Sequence, residues 1–315
     1  MPARAPAASA GDNRAVIAHW DEVEPHEQHV GDIRGRWQRL GDAAGSVGVG
    51  ANRIRVPAGA RTTPVHTHGA SEETYFVLDG SGLLWQDGAT CRIGPGDCLV
   101  HLPYANDHTL IAGDDGLDVI VFGTRHPTEF GALERAGVLR LGGDAVEIAA
   151  GPAPWEREIA AGPLEVPEPG ERPPNVVALV DAQTAFEGAM RALGASAGSV
   201  RTGLNHVTLP PGGTGAPAHC HSHEEELFVA LDGEATLLLF PRGSRGDGAE
   251  EQALRRGSVV ARPPGTGIAH AFRAGPAGFT YLAYGTREPG DATYYPEAAT
   301  VSLRGLGVSF TLPSS

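Results

Sequence analysis

The chain has 315 residues, enough for two domains of ordinary size, and a formal charge of −14 with no basic run, which argues against nucleic acid and anionic membranes as partners. All 24 basic residues are Arg, so P-loop, Schiff-base and pyridoxal phosphate chemistry are excluded for want of a lysine. Cys91, Cys98 and Cys220 form neither a disulfide framework nor a zinc pair; with no run near 18 apolar residues, the reading is a soluble, cytoplasmic protein.

Residues 1–14 lack the apolar core of a signal peptide and read as a disordered leader. An N-terminal domain is expected over 15–150. Short β-branched or aromatic runs at 54–56, 74–78, 82–85, 98–102 and 117–122 are set off by Gly and Pro about every 8 to 12 residues, as in a small antiparallel barrel or sandwich. The 44 Gly and 25 Pro suit such a turn-dense fold. Only 129–136 and 184–193 look helical. Between the domains, 151–174 is Pro-rich and extended, a linker or an arm packed across the neighbouring barrel, with Trp155 favouring packing and the boundary near residue 165. A C-terminal domain is expected over 175–315.

The two domains are copies. Gly45-Ser46-Val47 and Asn52 recur as Gly198-Ser199-Val200 and Asn205, and Pro57, Pro64 and His66 recur as Pro210, Pro217 and His219, each 153 residues later. Beyond the turn-rich stretch after Phe240 the offset grows, so that Gly96 matches Gly257 and His108 matches His270.

Within each copy lies one pattern, H-x-H-x4-E-x6-G followed by a further His. The first has His66, His68, Glu73, Gly80 and His108; the second has His219, His221, Glu226, Gly233 and His270. Identical spacing in two places makes coincidence untenable. Alternation along a strand points His66 and His68 one way and Thr67 the other, and Cys220 takes the outward slot of Thr67. Glu73 opens the next strand, with Tyr75 and Val77 on its face, and Gly80 is expected to turn a hairpin. His223, Glu72, Glu224 and Glu225 read as loop residues, solvated or supporting the ligands. Three imidazoles and a carboxylate suit a divalent transition metal, one per barrel: iron first, then manganese, nickel, zinc or cobalt. Alternation also offers pocket residues, Asn52, Tyr75 and Leu110 in the first copy and Asn205, Phe228 and Phe272 in the second. The walls are largely apolar and show no inward Arg clamp.

These motifs resemble those of the cupin superfamily, and of bicupins in particular. Gly59 with His66, His68, Glu73 and Gly80 follows the first cupin motif, with Gly59 one residue further out than the pattern. Gly96 to His108 and Gly257 to His270 follow the second motif, a residue or more too long and without its terminal Asn. The resemblance implies an all-β fold of two tandem antiparallel barrels of the double-stranded β-helix or jelly-roll type. It implies a metal-dependent enzyme, with a dioxygenase on a small, partly apolar substrate as the first reading and Glu73 or Glu226 as ligand and proton acceptor. A non-redox decarboxylase, isomerase or hydrolase, and a small-molecule-binding or storage protein, are the alternatives. Expected partners are a small-molecule substrate and further copies of the chain, as a homodimer or higher homo-oligomer.

Overall fold

The computed structural model describes residues 17–141, 146–147, 151–244 and 246–312; the leader expected over 1–14 lies outside them. The described residues are mostly strand, in antiparallel sheets, with short helices at Leu40–Ala43, Pro154–Ala160 and Leu193–Ser196. The described residues divide into two compact units, one within 23–40 and 48–205, the other within 17–22, 41–47 and 206–312. Among the described residues no helix is long and apolar enough to cross a membrane.

In the first unit the sheet order is Val176–Ala178, Asp97–His101, Glu73–Gln86, His108–Thr124, Val49–Val56, Ile33–Gln38 and His26–Val30, with Ala89–Ile93 added on Glu73–Gln86. A smaller sheet holds Val146–Glu147, Val138–Leu141, Phe130–Leu133 and Thr67–His68. Alternation decides which residues face inward. Ile54, Val56, Tyr75, Val77, Leu99, Leu110, Val119 and Val121 form one buried cluster, while Arg53 pairs outward with Asp118 and Arg55 donates to Gln38.

Two long strands carry most of the barrel. Glu73–Gln86 and His108–Thr124 pair along nearly their whole lengths, but the register shifts between Val77 and Asp79 and again between Gly80 and Gly82. Gly80 is therefore not a hairpin turn, as the spacing suggested, but the bend of a continuous strand. Its φ is +76°, and a Cβ there would run into the carbonyl of Gly116. Such bulges increase local twist, and here they let one sheet curl around its own core. Gly233 repeats this at φ +74° against Gly278.

In the second unit Ile17–His19, Ser258–Arg262, Glu226–Phe240 and Ala269–Thr286 follow one another in the sheet. Cys220–His221, Ala292–Tyr295, Thr300–Leu303 and Val308–Thr311 make the smaller sheet. Phe228, Ala230, Leu237, Val260, Phe272, Phe279 and Tyr281 are among its core residues.

Each barrel takes its outer strand from the other repeat. Ile17 of the N-terminal segment pairs with Val260, and Val176, which precedes the second copy, pairs with Leu99. The loops before each repeat follow suit. Glu72, fully buried, accepts hydrogen bonds from the Ser199 and Thr202 hydroxyls and from the Val200 and Arg201 amides, both at 3.0 Å. In the other unit, buried Glu225 accepts from the Val47 amide at 2.8 Å. Glu72 and Glu225 lie in loops, as expected, but are buried anchors rather than solvated residues, each accepting hydrogen bonds from a second loop.

Neither expected helix forms. Residues 129–136 contain the strand Phe130–Leu133, paired with both Thr67–His68 and Val138–Leu141. Residues 184–193 fold as two short paired strands around a turn in which Phe186, Glu187 and Gly188 all have positive φ, incompatible with a right-handed helix. The stretch 151–174 forms an arm on the first barrel. Its helix, Pro154–Ala160, places Glu158 on Arg61 at 2.9 Å, and further on Trp85 donates to the Glu165 carbonyl at 2.8 Å.

Candidate metal centres

The ligand candidates converge as the spacing requires. In the first barrel, His66 and His108 form a backbone pair, exchanging N–H···O bonds of 3.2 and 3.0 Å; His219 and His270 do the same at 3.1 and 2.9 Å. His68 and His221 are brought in by the smaller sheet, opposite Gly131 and Thr293. Around Glu73, the Nε2 atoms of His66, His68 and His108 lie at 3.7, 3.6 and 2.9 Å from a carboxylate oxygen. Around Glu226, those of His219, His221 and His270 lie at 3.5, 3.6 and 3.3 Å. The ring pairs His66–His68 and His219–His221 stand 5.0 and 5.1 Å apart at 85° and 87°. The two centres are one geometry built twice.

Whether these atoms suit a cation can be decided from their hydrogen bonds. Nδ1 of His66 faces the Pro64 carbonyl at 3.1 Å, that of His108 the Asn106 carbonyl at 3.1 Å, and that of His219 the Pro217 carbonyl at 2.8 Å. His221 Nδ1 donates to Asp291 at 2.7 Å, and His68 Nδ1 faces Glu129 at 3.4 Å. With the proton held on Nδ1, a neutral imidazole turns its Nε2 lone pair toward the carboxylate, an arrangement that is repulsive without a positive charge between them. Consistently, His68 Nε2, Glu226 Oε2 and both nitrogens of His270 are buried with no hydrogen-bond partner, whereas His108 Nε2 is within hydrogen-bonding distance of Glu73. The donor set fits a divalent transition metal.

Electrostatics say the same. Burial would raise the Glu73 carboxyl, but His68 and the other two imidazoles hold it well below the usual range. Glu226 is likewise held down to about 2 against the effect of burial by His219, His270 and His221. Burial disfavours the His68 imidazolium, yet Glu73 and Glu129 outweigh it and raise its pKa to about 10.

Two carboxylates absent from the sequence reading stand behind the ligands. Asp291 accepts His221 Nδ1 and Thr293 Oγ1 on Oδ2, and the His223 and Glu224 amides on Oδ1 at 2.9 and 3.2 Å. Glu129 accepts the Gly69 and Ser71 amides at 3.1 and 2.5 Å as well as facing His68. Glu224, buried, lies 3.6 Å from His221 Nδ1 and 3.2 Å from Arg304, while the Ser222 hydroxyl meets the exposed His223 at 2.8 Å. The signal was available: Glu129 and Asp291 are acidic residues at one position of the repeat, 162 residues apart.

The apolar pocket candidates lie in the two barrel cores. Tyr75 and Leu110 are fully buried in the first core, with the Tyr75 ring 6.0 Å from that of His108; burial and the nearby Glu73 charge hold its hydroxyl un-ionised. Phe228 and Phe272 lie 5.3 and 6.0 Å from the His270 ring. Asn52 and Asn205 are half-buried on the strands Val49–Val56 and Thr202–Leu209. Cys220 is half-buried beside Phe240 and Ala269 rather than among the ligands. An open cavity of ≈ 320 Å³ lined by Asp79, Asp114, Asp115 and Asp118, among others, contains none of these residues, and Asp118 in it is already paired with Arg53.

The cupin domain family model matches residues 52–122 and 205–277, one stretch in each repeat. The chain is a bicupin of the cupin superfamily. A comparison with curated proteins finds no match. Among solved structures, this bicupin is similar to the Lactobacillus farciminis oxalate decarboxylase formate complex, with a TM-score of 0.59 and 13% identity over 88% of this chain and 87% of that one. It is also similar to Bacillus subtilis oxalate decarboxylase: the structure at pH 4.6 gives a TM-score of 0.57 with 15% identity over 87% of this chain and 76% of the other. A second structure of that enzyme, concerned with its Mn(II) centres, matches at 0.57 and 15% over 87% and 78%. At these identities the likeness establishes the fold.

The two barrels of the bicupin also differ at a buried polar position. Opposite Glu73 on the neighbouring strand is His101, and opposite Glu226 is Arg262. His101 is 2% exposed and lies flat on His108, ring centroids 3.6 Å apart with an interplanar angle of 0°, and both its nitrogens are buried without partners. Arg262 is 5% exposed and donates Nη2 to the Ile268 carbonyl at 2.7 Å, while its Nε is buried without a partner. An inward arginine, not expected from the sequence, is therefore present at the second centre. Both residues end runs of five buried strand positions, where alternation alone does not reveal a polar side chain aimed at a site.

Proposed function

We propose that this bicupin is an enzyme that holds a divalent transition metal in each barrel and carries out a reaction without net oxidation, of the decarboxylase, isomerase or hydrolase kind. The observation that carries the proposal is the pair of near-identical clusters in which neutral imidazole lone pairs converge on a buried carboxylate. In it, His66, His68, Glu73 and His108 hold one ion, and His219, His221, Glu226 and His270 the other. Glu129 and Asp291 fix the tautomer and orientation of His68 and His221. Tyr75, Leu110, Phe228 and Phe272 wall the centres, with Asn52 and Asn205 at their margins. Glu73 and Glu226 act as ligands rather than proton acceptors, because a carboxylate held so far below its usual range is a weak base.

A bound divalent ion supplies Lewis-acid polarisation of a substrate oxygen. Manganese is the first metal to test, since one similar structure is described by its Mn(II) centres. The dioxygenase reading with iron uses the same ligands and is favoured by the apolar walls; the similar folds, which belong to oxalate decarboxylases, support the non-redox reading better.

Elemental analysis of natively purified protein, followed by turnover of a panel of small carboxylic acids in an oxygen-electrode cell, tests the proposal. The expected result is up to two divalent ions per chain and product formation with no net dioxygen uptake. Stoichiometric dioxygen consumption would overturn it in favour of the dioxygenase, and failure to retain metal would overturn both.

A further inference from the structure

We infer that Arg262 makes the second centre a binding site for a small carboxylate anion, whereas the first centre, with His101 at the same position, lacks that preference. The inference rests on the metal reading of the centres and deepens it by naming the ligand class and the barrel that takes it.

Duplication supplies the internal control. The ligand rings superpose in spacing and angle, the carboxylates occupy the same register, and the orienting acids match. Against that sameness, residue 101 is an imidazole and residue 262 a guanidinium. With a divalent ion and one carboxylate ligand at each, Arg262 adds a positive charge at the second centre, where the extra carboxylate, Glu224, lies 3.2 Å from Arg304.

The guanidinium is not explained by the fold. Its cross-strand neighbour is Glu226, yet neither its Nε nor Glu226 Oε2 has a hydrogen-bond partner, and its one named bond, to the Ile268 carbonyl, leaves a cation buried with a neutral acceptor. A guanidinium buried without a paired anion is costly. A structural arginine in the same protein looks different, for Arg61, also buried, is held by both Asp32 and Glu158. An incoming anion would supply what Arg262 lacks. A guanidinium presents a planar fork of donors matched to a carboxylate, and the aromatic rings of Phe228 and Phe272 beside His270 leave room in chemistry for an apolar remainder rather than a second charge.

The test uses the manganese-loaded full-length protein and calorimetric titration with acetate, with acetamide as the uncharged isostere. The wild type should show one tighter acetate site per chain, distinct from any second, and no such preference for acetamide. Arg262→Gln should weaken the tighter site by about 10- to 100-fold, the loss expected for a charge-assisted hydrogen bond, with acetamide binding and metal content unchanged. Arg262→Lys should recover part of the affinity, and His101→Asn should leave the tighter site intact. Two equal acetate sites in the wild type would overturn the inference, as would wild-type affinity in Arg262→Gln. Should Arg262→Gln fail to fold or to hold metal, the wild-type stoichiometry and Arg262→Lys decide the matter. Failure to retain metal overturns the proposed function; equal sites in metal-loaded protein overturn only the role of Arg262.

Discussion

Replacing Asp291 by Asn tests how the second centre is prepared for its metal. The two carboxylate oxygens have separate duties. Oδ1 accepts the backbone amides of His223 and Glu224 at 2.9 and 3.2 Å, and Oδ2 accepts His221 Nδ1 at 2.7 Å. An asparagine must keep its oxygen toward the two amides, which cannot change from donors to acceptors. Its NH2 group therefore faces His221 Nδ1, and the imidazole answers by moving its proton to Nε2, the atom that should bind metal. Loss of such an orienting partner weakens metal binding by about 10- to 100-fold, equivalent to roughly 1.4–2.7 kcal/mol. Competition titration with a chromophoric chelator, read beside elemental analysis, should show one site per chain weakened by that factor and the other unchanged. The equivalent Glu129→Gln change should have a smaller effect, because Glu129 lies 3.4 Å from His68 and shares that oxygen with the Gly69 amide. Wild-type affinity at both sites in Asp291→Asn would refute the tautomer argument.

Three further outcomes are expected. Glu72→Ala removes the shared acceptor of the Val200 and Arg201 amides and the Thr202 and Ser199 hydroxyls, of which Ser199 keeps the Thr202 carbonyl, and should cost roughly 2 kcal/mol, seen as a fall in Tm of about 4–8 °C; an unchanged Tm would remove its anchoring role. Gly80→Ala combines a positive φ with a collision at the Gly116 carbonyl and should cost roughly 2–5 kcal/mol. Gly88→Ala, with a similar φ of +81° and nothing within 4 Å, should cost about 1 kcal/mol; equal losses by denaturant titration would discount the collision. For pH, Glu129 is held at about 2 against the effect of burial by hydrogen bonds from His68 and Ser71, below its ordinary 4.5. Its contribution to metal-free stability is thus present above about pH 4.5 and lost as pH falls toward 2. The Glu129→Gln variant should show a shallower acid loss than the wild type in thermal scans across that range.

The sequence by itself determined the fold class and which side chains converge in each barrel, and the reason is periodicity. His66 and His68 share a face because strands alternate, and the second copy at His219 and His221 repeats the statement independently. Local patterns failed where the deciding interaction was not local. Residues 129–136 and 184–193 carry helix-compatible side chains, but Phe130–Leu133 is captured between two strands, and the left-handed turn at Phe186 to Gly188 breaks the other. Gly80 could equally turn a hairpin or bend a strand, and only pairing along His108–Thr124 made it a bend.

Tertiary structure alone decided which barrel each outer strand completes. Ile17–His19 and Val176–Ala178 are both short, apolar and suited to the same sheet edge, so alternation cannot say which edge each fills. The folded chain answers by pairing Ile17 with Val260 and Val176 with Leu99. The same holds for the centres. The sequence named eight converging side chains, but whether a residue at the end of a fully buried strand faces the core or the ligands depends on cross-strand register. That register put His101 opposite Glu73 and Arg262 opposite Glu226, and so gave two matching ligand sets different surroundings.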